Sequence, residues 1–266
     1  MNSIIRIIAI NNSIKVVEDI NTCIYKYHTD PQNQTLDASR QRFASYDFCH
    51  SYFLRNRESL SSKMEESCIY LWSFLGSWGM LRGSSVLLKE NSPASLRKVV
   101  ECIAKTPKEV WDIDVEQYEK KECRKQIIEL YDSIKLALTK GSSHFDCKGN
   151  QITPFENPSR TLVTKIMMGV FGIVPAFDTF FCDVFGSLYP GKGFHSGNFS
   201  HDCLYAIYKF YLQNKQQLDS IKIAVIDFYG NPIEGMYYKK AKLIDMYGFT
   251  RGVLKLKAGK DTTMKE

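Results

Sequence analysis

The sequence has no CxxC pair, no uninterrupted apolar run of membrane-spanning length, no repeat of fixed period and no Gly/Ser-rich linker. Each absence closes a class. The eight Cys, at 23, 49, 68, 102, 123, 147, 182 and 203, are scattered, so reduced thiols in the cytosol are expected rather than a disulfide framework. The longest apolar windows, 68–88 and 162–181, are interrupted by Arg82 and by Lys165 with Asp178, which argues against membrane insertion. Arg6 breaks the short apolar opening and no small-residue cleavage site follows, so no secretory leader is expected and the location is read as cytoplasmic. Without repeat or linker, residues 1–254 should form one domain, with 255–266 as a flexible basic tail.

What is present suits a globular chain. Of 266 residues, 44% are apolar and 24% charged, enough for a core without staples. Aromatics reach 13%, with 16 Phe and 15 Tyr, which favours a thick core and offers stacking surfaces. The formal charge of +6 is a hint of an anionic partner, DNA among them.

Hydrophobic spacing predicts a mainly α fold. Residues 3–28 fit one or two helices, with a strand as the alternative for the first ten. A polar loop follows at 29–39, then a short aromatic helix at 46–53. Residues 68–88, apolar nearly all round, predict a central helix, inside which Gly76, Gly79 and Gly83 would permit close approach or a bend. Further helices are expected at 96–103, 120–139, 159–172, 179–188 and 201–214, with loops at 140–157 and 189–200. Residues 221–229 alternate and predict the one short β element, and 237–248 returns to helical spacing.

The stretch 161–183 organises this pattern. Asp178 is the only acidic residue between Glu156 and Asp183, and it follows the apolar run 170–177 with Pro175 marking a break. An Asp there fits a helix N-cap. A capping carboxylate beside an apolar floor has a fixed rotamer, and such a group activates a water or stabilises a developing cation.

The order of a basic, Thr-containing helix (Arg160, Thr164, Lys165), an apolar stretch with Phe171-Gly172, then Pro175 and Asp178-Thr179 before an aromatic helix resembles the later part of the helix-hairpin-helix DNA glycosylases. The resemblance spans about residues 157–186. It implies a phosphate-binding hairpin, for which this chain has Asn157-Pro158-Ser159-Arg160 without the family's glycines, and a catalytic Asp at Asp178. The spacing from Lys165 to Asp178 is shorter than the family's Schiff-base lysine requires, so no lyase step is implied. Residues 77–85 and 240–248 are similar to segments of uncharacterised bacterial proteins, which carries no activity.

Residue type limits the other candidates. Arg82, read as lying within an apolar helix, needs an acceptor such as Asp178 or Asp245, or else holds a phosphate. Ser84 and Ser85 lack a nucleophile elbow. His144, Cys147, His195, His201 and Cys203 match no common zinc spacing, so no metal and no cofactor is expected. Gly191-Lys192-Gly193 with His195 is a mobile surface loop by default, lacking the ending of a P-loop, although Lys192 and His195 could touch phosphates. The leading expectation is a DNA glycosylase-type hydrolase, in repair or defence against modified phage DNA, with Asp178 assisting departure of a flipped base. Trp78, Phe177 or Tyr189 would stack on it, and Arg82, Lys165, Lys192 and His195 would bind substrate. The alternative is a non-catalytic helical module that binds nucleic acid or protein.

Overall fold

The computed structural model describes residues 6–10, 13–17, 20–28, 43–83, 85, 87–88, 91–142, 144–145, 147–152 and 157–263, and these are mainly helical with small antiparallel strand pairs. Strands β1 (Arg6–Ile10) and β2 (Ser13–Val17) pair with Ile8 opposite Lys15. Their β-branched content overrides the helical spacing read for this part of the chain. Helix α1 (Ile20–His28) follows, and α2 (Ala44–Asn56) covers the predicted aromatic helix. The loop expected at 29–39 lies outside the described residues.

The helix predicted over 68–88 is corrected. Helix α3 (Met64–Ser77) begins earlier and stops at Trp78, because Gly79 takes φ 75°, a left-handed conformation that a side chain would strain. A 3-10 turn at Pro93–Leu96 leads into α4 (Arg97–Ala104), and α5 (Lys108–Trp111) starts after Pro107. Asp114 then caps a second 3-10 turn, Val115–Glu119, and the same carboxylate accepts Lys240 N at 2.7 Å and Ala241 N at 2.9 Å, so it ties two distant segments together. Helix α6 (Lys121–Ser142) is followed by β3 (His144–Phe145) paired with β4 (Gln151–Ile152).

Helix α7 (Arg160–Phe171) is the centre: every residue from Leu162 to Phe171 is buried. Ser159 Oγ accepts Leu162 N at 3.2 Å to start it, and Gly172, at φ 64°, lets its own N–H reach Met168 O and end it. Helix α3 packs on it with the Phe74 ring against Gly169, where a Cβ would lie 2.4 Å from Phe74 Cε1. Helix α2 joins it through His50 Nδ1, which donates to Val170 O at 3.0 Å.

The C-terminal half closes the other side. Helices α8 (Thr179–Leu188), α9 (His201–Gln213) and α10 (Lys215–Ser220) precede strands β5 (Ala224–Ile226) and β6 (Pro232–Tyr237), which pair antiparallel in the region expected to hold the β element. Helix α11 (Lys240–Thr263) continues into the stretch read as a tail. Gly248 and Gly252 let α11 approach α8, since a Cβ on either would lie under 3 Å from Phe181 or Phe180. No helix among the described residues is long and apolar enough to cross a membrane.

Candidate functional site

The turn between α7 and α8 is held by side chains rather than by secondary structure. Thr161 Oγ1 donates to Phe177 O at 2.9 Å, Thr164 Oγ1 accepts Phe177 N at 3.0 Å, and Asp245 Oδ1 accepts Ala176 N at 2.9 Å. A buried backbone segment needs such partners. Asp178, the next residue, takes an extended conformation (φ −81°, ψ 176°), and its Oδ1 accepts Phe181 N at 2.9 Å. It is the N-cap of α8.

Burial pushes the Asp178 carboxyl up to about 6; the Phe181 N–H draws it down, the charge of Asp245 adds to the rise, and Lys165 opposes it. Lys165 projects from α7 into the same region, 5% exposed, and its Nζ donates to Trp78 O at 2.6 Å. Burial lowers its pKa below the usual lysine range, while Asp178 and Asp245 pull it back up. The backbone reversal at Gly172 to Ala176 thus brings the charges of Lys165 and Asp178 within interaction range.

Behind them lies a second pair. Lys242, 1% exposed, places Nζ 2.9 Å from Asp245 Oδ2 and 3.0 Å from Tyr27 Oη. Its ammonium sits 4.9 Å from the Tyr27 ring centroid, 4.7 Å from Tyr46 and 4.4 Å from Trp78. Three ring faces and one carboxylate replace the water it has lost. Burial still lowers its pKa, against the pull of Asp245. Asp47 completes the cluster, accepting Tyr238 Oη at 2.8 Å and Ile226 N at 3.3 Å; burial pushes its carboxyl up to about 7. His50, stacked on Tyr46 with centroids 5.2 Å apart, is pushed down to about 3 by burial and is neutral.

Of the residues expected to bind substrate, Trp78, Lys165 and Asp178 come together. Arg82 is exposed beyond the end of α3 rather than buried in a helix; its Nε donates to Gly79 O at 2.9 Å, and its charge still depresses Lys165. The partner of Asp245 is Lys242, not Arg82. Phe177 is corrected too: it is 1% exposed and packed against Phe181, Phe194 and Phe199, so it has no free face for a base. Tyr189 caps the far end of α8, about 15 Å from Asp178 by helical rise, and its hydroxyl donates to Gln213. Lys192 is exposed, 3.8 Å from Asp202, and exposed His195 lies against Gly186.

The loop read as mobile by default is anchored by a residue whose role sequence reasoning missed. Arg160 donates to Gly193 O at 3.0 Å, Asn198 O at 2.7 Å and Phe194 O at 2.6 Å, with its guanidinium 5.1 Å from the Phe177 ring centroid. Also missed were Lys242, Asp47, Tyr27 and Tyr46. A Lys and an Asp three residues apart inside an otherwise apolar stretch of 241–248 was the available signal. Among the described residues no group of three or more His, Cys, Asp or Glu is placed to hold a metal ion.

No family model, no curated protein and no solved structure matches this chain.

Proposed function

We propose that the protein acts on DNA as a glycosylase, hydrolysing the bond between a damaged or modified base and its sugar, with Asp178 as the reacting carboxylate. One observation carries this reading. In a cluster whose other acids and lysines, Asp47, Lys165, Lys242 and Asp245, are all buried, Asp178 alone is partly exposed. A solute therefore meets Asp178 first, and the buried charges act on it.

The chemistry follows from that placement. As the base departs, positive charge develops on the sugar, and an ionised carboxylate fixed by Phe181 N–H stabilises it without reorganising. The base leaves with the bonding electron pair, water adds at the same carbon, and the carboxylate takes the water's proton and passes it to the departed base. With its carboxyl at about 6, Asp178 is largely ionised at neutral pH and still basic enough for this step. Trp78 flanks the cluster as a half-buried ring, and Arg82 is exposed beside Lys165 to meet a phosphate.

The test is abasic-site formation on DNA carrying a panel of damaged and modified bases, comparing the parent with Asp178→Asn. Base release by the parent, lost in the variant and falling as pH drops below about 6, is expected. No release by the parent, or equal release by the variant, removes the reading. A second reading, a non-catalytic binding module, rests on the β5–β6 hairpin, whose turn presents Phe228 at 75% and Tyr229 at 83% exposure. DNA or protein capture that depends on these two rings, with no base released, favours it.

A further inference from the structure

The Lys242–Asp245 pair is buried where Asp178 is only partly so, yet it is joined to the Asp178 turn by a specific bond. Asp245 uses its two oxygens separately: Oδ2 pairs with Lys242 Nζ at 2.9 Å, and Oδ1 accepts Ala176 N at 2.9 Å. Ala176 lies two residues before Asp178, in a turn with no ladder of its own. Lys242 is in turn fixed by Tyr27 Oη at 3.0 Å and three ring faces. A chain of contacts therefore runs from α1, α2 and the end of α3, through α11, to the backbone that aims the carboxylate.

We propose that Lys242 and Asp245 are positioning residues for Asp178: they clamp the turn that presents its carboxylate and set the electrostatic field it faces. This rests on the reading of Asp178 as the reacting group. The groups facing Asp178 are Lys165 from α7, Asp245 and Lys242 from α11, Tyr27 from α1 and Cys182 on its own helix. Asp245 raises the Asp178 carboxyl, and Lys242 interacts with Asp178 as an opposite charge. The bond from Ala176 N to Asp245 is the clamp, and the nearby charges leave a signature on the Asp178 titration.

That signature is measurable without any substrate, by following the Asp178 carboxyl carbon through a pH titration by NMR, assigned with Asp178→Asn. Removing the cation in Lys242→Met leaves Asp245 uncompensated and should raise the Asp178 midpoint. Removing the anion in Asp245→Asn, which keeps an oxygen for Ala176 N, should lower it, each by about half a pH unit or more. The double variant Lys242→Met with Asp245→Asn should return close to the parent. Shifts in the same direction, or none, overturn the proposal. If neither single variant folds, Lys242→Met with Asp245→Leu removes both charges and the acceptor, and amide exchange decides. Exchange at Ala176 about tenfold faster or more supports the clamp, and unchanged protection overturns it. Because the titration needs no DNA, a parent that releases no base refutes the glycosylase reading and leaves this result standing. Base release with an unmoved titration refutes only the pairing.

Discussion

Replacing Asp178 by Asn should stabilise the protein at neutral pH. The cap survives, because Asn retains a side-chain oxygen for Phe181 N and ranks with Asp at this position. What disappears is the cost of keeping a charge in a mostly buried site. The folded carboxyl lies at about 6 against an ordinary value of 3.8, a difference of roughly 3 kcal/mol at 1.36 kcal/mol per pH unit. With the folded pKa raised, the folded state binds more protons between these values. The favourable contribution is therefore complete below about 3.8 and is lost as pH rises through about 6.

Asn is neutral throughout and does not suffer that loss. It also deprives Lys165 of a counter-charge, which offsets part of the gain. A net stabilisation of about 1–2 kcal/mol at pH 7 follows, or roughly 2–8 °C in melting temperature, shrinking toward zero near pH 4. The assay is thermal or urea denaturation of parent and variant from pH 4 to 7. Asp47, whose carboxyl is pushed up to about 7, contributes equally to both proteins and cancels in the difference. Asp178→Ala serves as the control: it loses the same charge but also the cap, at about 1 kcal/mol. A variant no more stable than the parent at pH 7, or a stability difference independent of pH, would refute the reasoning.

Other expected outcomes come from the packing. Gly169→Ala puts a Cβ 2.4 Å from Phe74 Cε1, whose ring is backed by Trp78 at 5.4 Å. The overpacking should exceed the gain in helix propensity and cost about 1–2 kcal/mol net in urea denaturation; an unchanged midpoint counts against the contact. Arg160→Ala should release the 189–200 loop to limited proteolysis, and Arg160→Lys should not rescue it, because one ammonium lacks the fork that reaches three carbonyls. Unaltered protease resistance would count against the anchor. Tyr118→Phe removes a buried bond to Ile173 O and should cost about 1–2 kcal/mol in the same denaturation assay, and no cost would show that the carbonyl is otherwise satisfied.

How much of this was legible depends on sequence separation. Helix α7, its Ser159 start and the Asp178 cap are local, and the Ser, Gly, Pro and Asp punctuation marks them. The end of α3 was misjudged because its apolar pattern continues past Ser77; Gly79 stops the helix by taking a left-handed conformation that composition does not reveal. Arg82, read as buried for the same reason, emerges into solvent once the helix ends. The Lys242–Asp245 pair was visible as a spacing, but its cage draws on Tyr27, Tyr46 and Trp78 from three distant segments, and no periodicity reports that convergence. Arg160 was quoted only as part of a basic helix, since its carbonyl partners lie 33 to 38 residues away.

The buried charges are poorly explained by stability alone. Two lysines and three aspartates meet beside α7, where apolar side chains of similar volume would be neutral or favourable by about 1–4 kcal/mol. Asp47 sits at about 7 and Asp178 at about 6, so near neutral pH a change of proton occupancy at either alters the charge of the whole cluster. Asp47 is enclosed, accepting Tyr238 Oη and Ile226 N, and has no route to act on a solute. Asp178 has a perturbed carboxyl and, unlike Asp47, is only partly buried. Asp245 accepts Ala176 N in the turn behind it and pairs with Lys242, and Lys165 is held by Trp78 O on its flank. Such an arrangement fixes a carboxylate in one orientation at a folding cost, which is the condition under which it stabilises a developing positive charge better than water does.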